Sequence, residues 1–454
     1  MADRTRAAAR TSPSYPAVEA ALLSRWPETR IAPSLDRIRA LCDLLGQPQR
    51  AAPVIHLTGT NGKTSTARMV DSLVRRLGLR TGRFTSPHLE SMRERICVDG
   101  QPLTPERFAE VFAEVAPYAE VVERTGRHPV SFFELVTAMA FAAFADAPVD
   151  AVVLEVGMGG AWDATNVADG QVAVVTPVAV DHASYLGSTP EEIAVEKSGI
   201  LKPGSFAVLA QQPIEVAEVL LRRAVEVEAT VAREGLEFGV SARRAGVGGQ
   251  EVDLKGLAGQ YAGIFLPLHG AHQAHNAACA VAAVEALSGG TALDAEAVRA
   301  AFAEVESPGR LEVVRRSPTI VVDAAHNPHG ARAAAQAVQE AFAFSPLVGV
   351  VGVMGDKDAE GMLEAFEPVL STVVCTQNAT PRAMPAESLG ELARRVFGGE
   401  RVAVVPRLDD ALDQAAALAE SGGAVGEAIG SGGVLVTGSV ITAGEARTLL
   451  RRGT

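Results

Sequence analysis

Cysteine is scarce in this chain. Among 454 residues there are four, Cys42, Cys97, Cys279 and Cys375, with no C-x-x-C pair. That spacing excludes a disulfide framework or a zinc knuckle and suits a reducing compartment, so a cytoplasmic location is expected. Positive charge is also short. Lys and Arg total 41 against 54 Asp and Glu, a net charge of −13. A nucleic-acid partner would need a basic surface, which this balance does not provide. Anionic small molecules would have to be met locally, by a few Lys or Arg residues, backbone amides or metal ions. Long apolar runs are missing. The longest, Leu135 to Ala145, stops at Asp146 and is too short to cross a bilayer. The opening M-A-D-R-T-R-A-A-A-R-T-S has no apolar core, so no signal peptide is expected. No internal repeat is visible.

What is present describes a globular α/β protein. Hydrophobic residues make up 48% and charged residues 21%. The length exceeds one ordinary core and predicts two or three domains. Short apolar stretches alternate with helix-patterned ones. V-I-H-L-T (54–58), A-V-V-L-E-V-G (151–157) and V-A-V-V-T-P-V (172–178) come first. T-I-V-V-D-A-A, L-V-G-V-V-G-V-M, T-V-V-C-T, R-V-A-V-V and G-V-L-V-T-G follow in the last third. Apolar strands separated by helices predict parallel sheets covered on both faces. S-P-G-R at 307–310 reads as a linker between two α/β units. The Gly-rich run at 421–433 predicts a flexible surface connection before the last strand.

Residues 58–66 read T-G-T-N-G-K-T-S-T, after a strand pattern and before a helix pattern that ends at Gly78. A full phosphate loop would place glycine at 57, where Leu57 stands. The shorter form runs from Gly59 to Thr64. Amides of such a turn and of the helix start hold phosphate oxygens, and Lys63 adds a point charge. The bland alternative is a strand-to-helix turn with a solvated lysine. Glu155 ends a strand near this loop and suits Mg²⁺, which takes one or two carboxylates plus phosphates and waters. By itself it would equally suit a helix cap or an ion pair. Ser86 also reads as a turn residue before Pro87, His182 as a satisfied group at a sheet edge, and Lys197 as a surface-helix lysine. His269, His272 and His275 suggest a metal, but the third leaves the helix face shared by the first two. No cysteine or acid completes a set, so no metal is expected there.

The loop T-G-T-N-G-K-T is similar to that of the Mur-ligase superfamily, ATP-dependent enzymes that join an amino acid to a carboxylate. Within it, the chain resembles the folylpolyglutamate synthase/dihydrofolate synthase family, especially its actinobacterial members. The resemblance runs along nearly the whole chain. It rests on T-S-P-H-L (85–89), E-R-I (94–96), F-F-E (132–134), E-V-G-M-G-G-A-W-D-A-T-N (155–166), D-H-A-S-Y-L-G (181–187), E-K-S-G-I (196–200), H-Q-A-H-N-A-A (272–278), S-P-G-R and D-A-A-H-N-P (323–328), in family order.

The resemblance implies an α/β fold: an N-terminal P-loop-type Mur-ligase domain over 1–306 and a C-terminal Rossmann-like glutamate-ligase domain over 307–454. It implies ATP on Thr60, Asn61, Gly62, Lys63, Thr64, Asn276, Arg310 and Asp323. It assigns Mg²⁺ to Ser86, Glu155, His182 and a Lys197 carbamylated by CO₂, with Lys63, His182 and Lys197 as the catalytic set. A carbamate would bring anionic oxygens to the ion, where a free ammonium would repel it. Ala32, Pro33, Ser34, Phe133, Trp162, Asp163 and Ala164 would meet the pterin-bearing substrate, and His326 the cleft near the incoming amino acid. Phe132 and Phe133 fit equally well as core aromatics. Implied partners are dihydropteroate, tetrahydrofolate and its polyglutamates, and L-glutamate, in folate biosynthesis and one-carbon metabolism. A monomer is expected, because the site is complete in one chain. One position departs: the family shows G-G-R where this chain has Ala161, which removes a bidentate anion contact. The competing readings are another Mur-type ligase, or a non-catalytic nucleotide-binding relic.

Overall fold

The computed structural model describes residues 13–27, 30, 32–126, 128–421 and 432–452. Three sheets organise them. The first has eight strands: β1 (Val54–Thr58), β2 (Thr81–Phe84), β3 (Ile96–Val98), β4 (Gln101–Pro102), β5 (Ala151–Glu155), β6 (Val172–Val175), β7 (Phe206–Leu209) and β8 (Thr230–Arg233), in the order β4-β3-β2-β5-β1-β6-β7-β8. Its central strands β1, β5 and β6 are buried along their whole length. Both faces are covered, which is why these segments read as continuous apolar runs. The register sets Leu57 beside Glu155, so the carboxylate sits level with the end of β1.

The parallel prediction holds for the centre of this sheet. Its edge differs, because β3 and β4 run antiparallel. A second departure is a separate antiparallel sheet of β9 (Gly239–Gly246), β10 (Gly249–Lys255) and β11 (Gln260–Leu266). Its buried Val252, Leu254, Tyr261, Ile264 and Leu266 join the cluster around the helix Ala271–Leu287. With one face in solvent, β10 and β11 show broken alternation instead of an apolar run, and β9 is largely exposed.

The third sheet holds β12 (Glu312–Arg316), β13 (Thr319–Val322), β14 (Leu347–Val351), β15 (Thr372–Cys375), β16 (Val402–Val404) and β17 (Gly433–Thr437), ordered β12-β13-β17-β14-β15-β16. All its pairs are parallel except β12–β13. It shares no strand with the first sheet. Of the Gly-rich run predicted as a connection, 422–431 lie outside the described residues. Among the described residues, no helix is long and apolar enough to cross a membrane.

Candidate active site

The strands of the first sheet end in a cavity of about 360 Å³, closed on its far side by the helix Pro328–Ala341 of the C-terminal unit. Ligands of open α/β sheets bind outside the carboxyl ends of the strands. The glycine turn forms its floor. Gly59 has φ +144°, and a Cβ there would come within 1.9 Å of Thr176 Oγ1. Gly62 has φ +91°, and a Cβ there would approach Asn276 Oδ1 to 2.5 Å. Only glycine permits both the backbone conformation and the contact. The helix Lys63–Arg76 starts next, and its first amides have no intrahelical acceptor. The Thr60 amide is already engaged, donating to Pro177 O at 2.9 Å.

Lys63 is partly buried and folds back on the turn instead of standing in solvent. Its Nζ donates to Gly59 O at 3.0 Å and Thr60 O at 3.2 Å. Burial pushes this ammonium below the ordinary lysine range, with Arg310 and Lys357 adding repulsion against the pull of Glu155 and Asp181. Lys197 is not a surface lysine: it is 4% exposed, and its Nζ donates to the same Gly59 carbonyl at 2.8 Å. Burial, then the neighbouring Lys63 charge, lowers it to about 7. Packing accounts for its position. The helix Pro190–Ser198, capped by Thr189 and Glu192, ends against Gly160, where a Cβ would meet Glu196 O at 2.8 Å.

Glu155 is buried. Oε1 accepts from the Thr64 hydroxyl at 2.8 Å and Oε2 from the Ser86 amide at 3.2 Å. Burial raises its carboxyl despite the Lys63 charge. Ser86 and His182 line the same cavity. His182 takes φ +53°, a left-handed conformation uncommon for a side chain with a Cβ. Burial lowers its imidazole to about 4, so it is neutral and able to ligate a metal.

The predicted nucleotide residues from the far domain arrive at the same place. Arg310 and Asp323 both line the cavity. Asp323 is buried and braces the turn around it, accepting from Ala325 N at 2.8 Å and Leu311 N at 3.0 Å. Asn276 lies beside Gly62. Of the three histidines, His269 packs on Phe342 with centroids 5.0 Å apart, His272 is lowered to about 4 by burial, and His275 pairs with Glu234.

Asp181 escaped the sequence reading. It is the point where the C-terminal unit grips the first sheet: Lys357 pairs with Oδ1, while Asn327 Nδ2 at 3.1 Å and His326 Nε2 at 3.4 Å reach Oδ2. Burial alone would raise this carboxyl, but the His326 hydrogen bond and the charges of His182, His326 and Lys357 hold it far below the usual range. Adjacent charges after strands, D-H at 181–182 and D-K at 356–357, were the available signal.

None of the residues expected to meet a pterin lines this cavity, whereas His326, expected near the incoming amino acid, does. Phe133 lies just behind its wall, where a Cβ on Gly157 would come within 2.5 Å of the ring. Phe84 packs 5.8 Å from the same ring. Ala32–Ser34 are tied to that region by Arg37, which donates to Ala32 O at 2.9 Å and to Glu134 Oε1 at 2.9 Å. Ala164 is buried and Trp162 packs on the neighbouring core. Asp163 is buried and bonded to its own loop. Its Oδ2 accepts from Met158 N at 2.9 Å, and its Oδ1 from Thr165 N at 2.9 Å and the Thr165 hydroxyl at 2.5 Å. With both oxygens committed to the loop, it orders the backbone there.

A phosphate cradle flanked by a buried carboxylate and two lysines, and closed by a second α/β unit, is the arrangement of a Mur-type ligase. Family models agree: the Mur ligase middle domain matches residues 112–284 and the Mur ligase glutamate ligase domain residues 309–440. The dihydrofolate synthase/folylpolyglutamate synthase of Mycobacterium tuberculosis is 52% identical over 96% of this chain and 93% of its own length. That of Escherichia coli is 34% identical over 79% of this chain and 80% of its own. Among solved structures, the Mycobacterium tuberculosis folylpolyglutamate synthase complexed with ADP superposes with a TM-score of 0.93 at 52% identity, over 96% of this chain and 98% of that one. Escherichia coli FolC in complex with DHPP and ADP gives 0.85 at 30% identity, over 97% and 99%. The chain belongs to the folylpolyglutamate synthase/dihydrofolate synthase family.

Proposed function

We propose that this chain is an ATP-dependent ligase that adds L-glutamate to tetrahydrofolate and its polyglutamates, and to dihydropteroate. One observation carries the reading. Lys63, His182 and Lys197 from the first unit share a cavity with Arg310, Asp323 and His326 from the second, and Glu155 sits behind its wall, bonded to the cavity-lining Thr64. The units divide at 306/307, and all the groups come from one chain, so the enzyme acts as a monomer.

The chemistry follows from what the groups can do. ATP lies in the cradle, its phosphates on the amides opening the helix Lys63–Arg76 and on Lys63. A substrate carboxylate oxygen attacks the γ-phosphorus and ADP leaves, giving an acyl phosphate. The neutral amine of glutamate attacks the carbonyl carbon, phosphate departs, and the amine loses a proton as the amide forms. The cavity excludes water from the acyl phosphate, and Arg310 and the lysines offset its charge. Glu155, bonded to the Thr64 hydroxyl and the Ser86 amide, would hold Mg²⁺, with the neutral imidazole of His182 lining the same cavity. When bound, the ion neutralises phosphate charge. Lys197, held at about 7, keeps a neutral amine fraction at physiological pH, the form that reacts with CO₂ to give a carbamate.

Glutamate-dependent phosphate release, measured with dihydropteroate and with monoglutamyl tetrahydrofolate, tests the reading. Turnover with at least one is expected. ATP turnover that neither pteridine substrate stimulates would overturn it.

A further inference from the structure

The cavity has two unlike ends, and strand order keeps them apart. Lys63 follows β1 at one end, with Glu155 at the end of β5 behind Thr64. Gln211 and Glu234 follow β7 and β8, two and three strands away on the other side of β1. At about 4.8 Å per strand, Glu234 stands roughly 14 Å from the cradle. That distance suits a nucleoside triphosphate stretched from terminal phosphate to base. Past His329 and Gly330, which lie by Asn61 of the cradle, the facing helix lines the cavity with the methyl groups of Ala333 and Ala334, a smooth wall for a flat heterocycle.

His275 is the oriented polar group here. Its Nδ1 lies 2.5 Å from Glu234 Oε1. A carboxylate only accepts, so Nδ1 carries the hydrogen. Glu234 is itself held: its side chain is 2% exposed, and Oε2 accepts from the Gln211 amide at 3.0 Å. A half-exposed imidazole at the cavity wall is therefore fixed in one orientation. The Glu234 hydrogen bond raises the pKa of this imidazole against its partial burial. The ring is neutral only above that raised value, and its remaining nitrogen, Nε2, is then an acceptor.

We propose that His275, fixed by Glu234, is the base-reading residue of the nucleotide site: Nε2 accepts a hydrogen from the 6-amino group of adenine. A 6-oxo purine would turn an oxygen lone pair towards that nitrogen and leave both atoms unpaired. The inference rests on the nucleotide reading above, and it assigns selection to a residue pair outside the phosphate cradle.

Equilibrium binding of ATP, inosine triphosphate and purine riboside triphosphate, which lacks a 6-substituent, tests it in the full chain at a pH well above the imidazole's raised value, where Nε2 accepts. Wild type is expected to favour ATP about ten- to a hundredfold over inosine triphosphate and about three- to tenfold over purine riboside triphosphate. In His275→Phe both ratios fall to about twofold or less, while purine riboside triphosphate binds as before. Glu234→Gln lets an amide donate to Nδ1 as well as accept from it, so the tautomer is released and inosine triphosphate gains at least about threefold. If Glu234→Gln does not fold, the half-exposed His275→Phe alone decides. Unchanged ratios in His275→Phe, or no discrimination in wild type, overturn the inference while nucleotide binding stands. Failure of all three nucleotides to bind wild type overturns both.

Discussion

The ammonium groups of Lys63 and Lys197 converge on one oxygen, the Gly59 carbonyl. Two cations this close and this dry cannot both keep their protons easily. For Lys197 the folded value of about 7 lies below the ordinary lysine value of about 10.4. Between these two pH values the unfolded chain holds the proton and the folded chain does not. This group's contribution to stability therefore rises with pH across that window and is lost as pH falls towards 7. Denaturant titrations of wild type and Lys197→Met in CO₂-free buffer should differ by a positive slope over pH 7–10; parallel curves would contradict the burial argument. In the ligase assay Lys197→Ala should be inactive and partly restored by small carboxylates. Lys63→Ala should also abolish turnover. Because its ammonium ties the turn to itself, unfolding should show a loss of about 1–2 kcal/mol with an otherwise native circular dichroism spectrum. Near-wild-type turnover would remove the phosphate-cradle reading.

The loop 157–166 and the helix Pro190–Ser198 work as one element pair. Asn166 Nδ2 donates to Ala161 O at 3.0 Å and Gly199 O at 3.2 Å, and the Trp162 amide donates to Glu196 Oε1 at 3.1 Å. Lys197 is thereby placed by the loop that follows Glu155. Ala161 lies against the helix end so closely that a Cβ on Gly199 would come within 2.4 Å of the Ala161 methyl. An arginine at 161 would grow from this contact, beside Glu196 and next to Lys197. A charged hydrogen bond to substrate or to this neighbouring acid is worth about 1.5–3 kcal/mol, or roughly ten- to a hundredfold. Ala161→Arg is accordingly expected to raise kcat/KM for dihydropteroate or for monoglutamyl tetrahydrofolate, with the KM for ATP little changed. Equal kcat/KM values for both substrates in both proteins would show that this loop does not set substrate preference.

Across the whole molecule, polar side chains make much of the contact between the two units, beside a smaller apolar contact of Leu89 and His269. Asn61 of the cradle and Asn327 of the C-terminal unit exchange amide hydrogen bonds of 3.2 and 3.1 Å. Ser65 and Ser307 approach to 3.0 Å, and Arg447 in the last helix bonds to Glu90 and Glu312. Such polar contacts allow relative motion more readily than a broad apolar interface does. ATP spanning both units would add to the closed state and complete the catalytic set on closure. Arg310 stands where the chain crosses between units and lines the cavity. Replacing it with alanine should raise the KM for ATP and lower kcat together, by roughly tenfold each if one charged hydrogen bond is lost. Steady-state kinetics with varied ATP check this, and two unchanged parameters would mean that ATP does not bridge the units.

The amino-acid sequence by itself determined the alternation of buried strands and helices, the glycine turn with Lys63, and the chemical identity of the candidate ligands. These are local properties: strands buried on both faces are apolar throughout, and a left-handed turn needs glycine. The antiparallel sheet of β9–β11 was legible only as broken alternation, because one of its faces is in solvent. Only the tertiary structure decided which polar residues face the cavity. Lys197 sits in a short helix, P-E-E-I-A-V-E-K-S, whose spelling does not mark the lysine for burial, and its burial comes from Gly160 and Gly59, 37 and 138 residues away in the chain. Asp163 reads in the sequence only as a free acceptor, whereas the fold also gives it the backbone amides of its own loop. Asp181, Lys357 and the pair Glu234–His275 gain their meaning from groups brought together across sheets, where burial makes an isolated charge costly and so selects its partner.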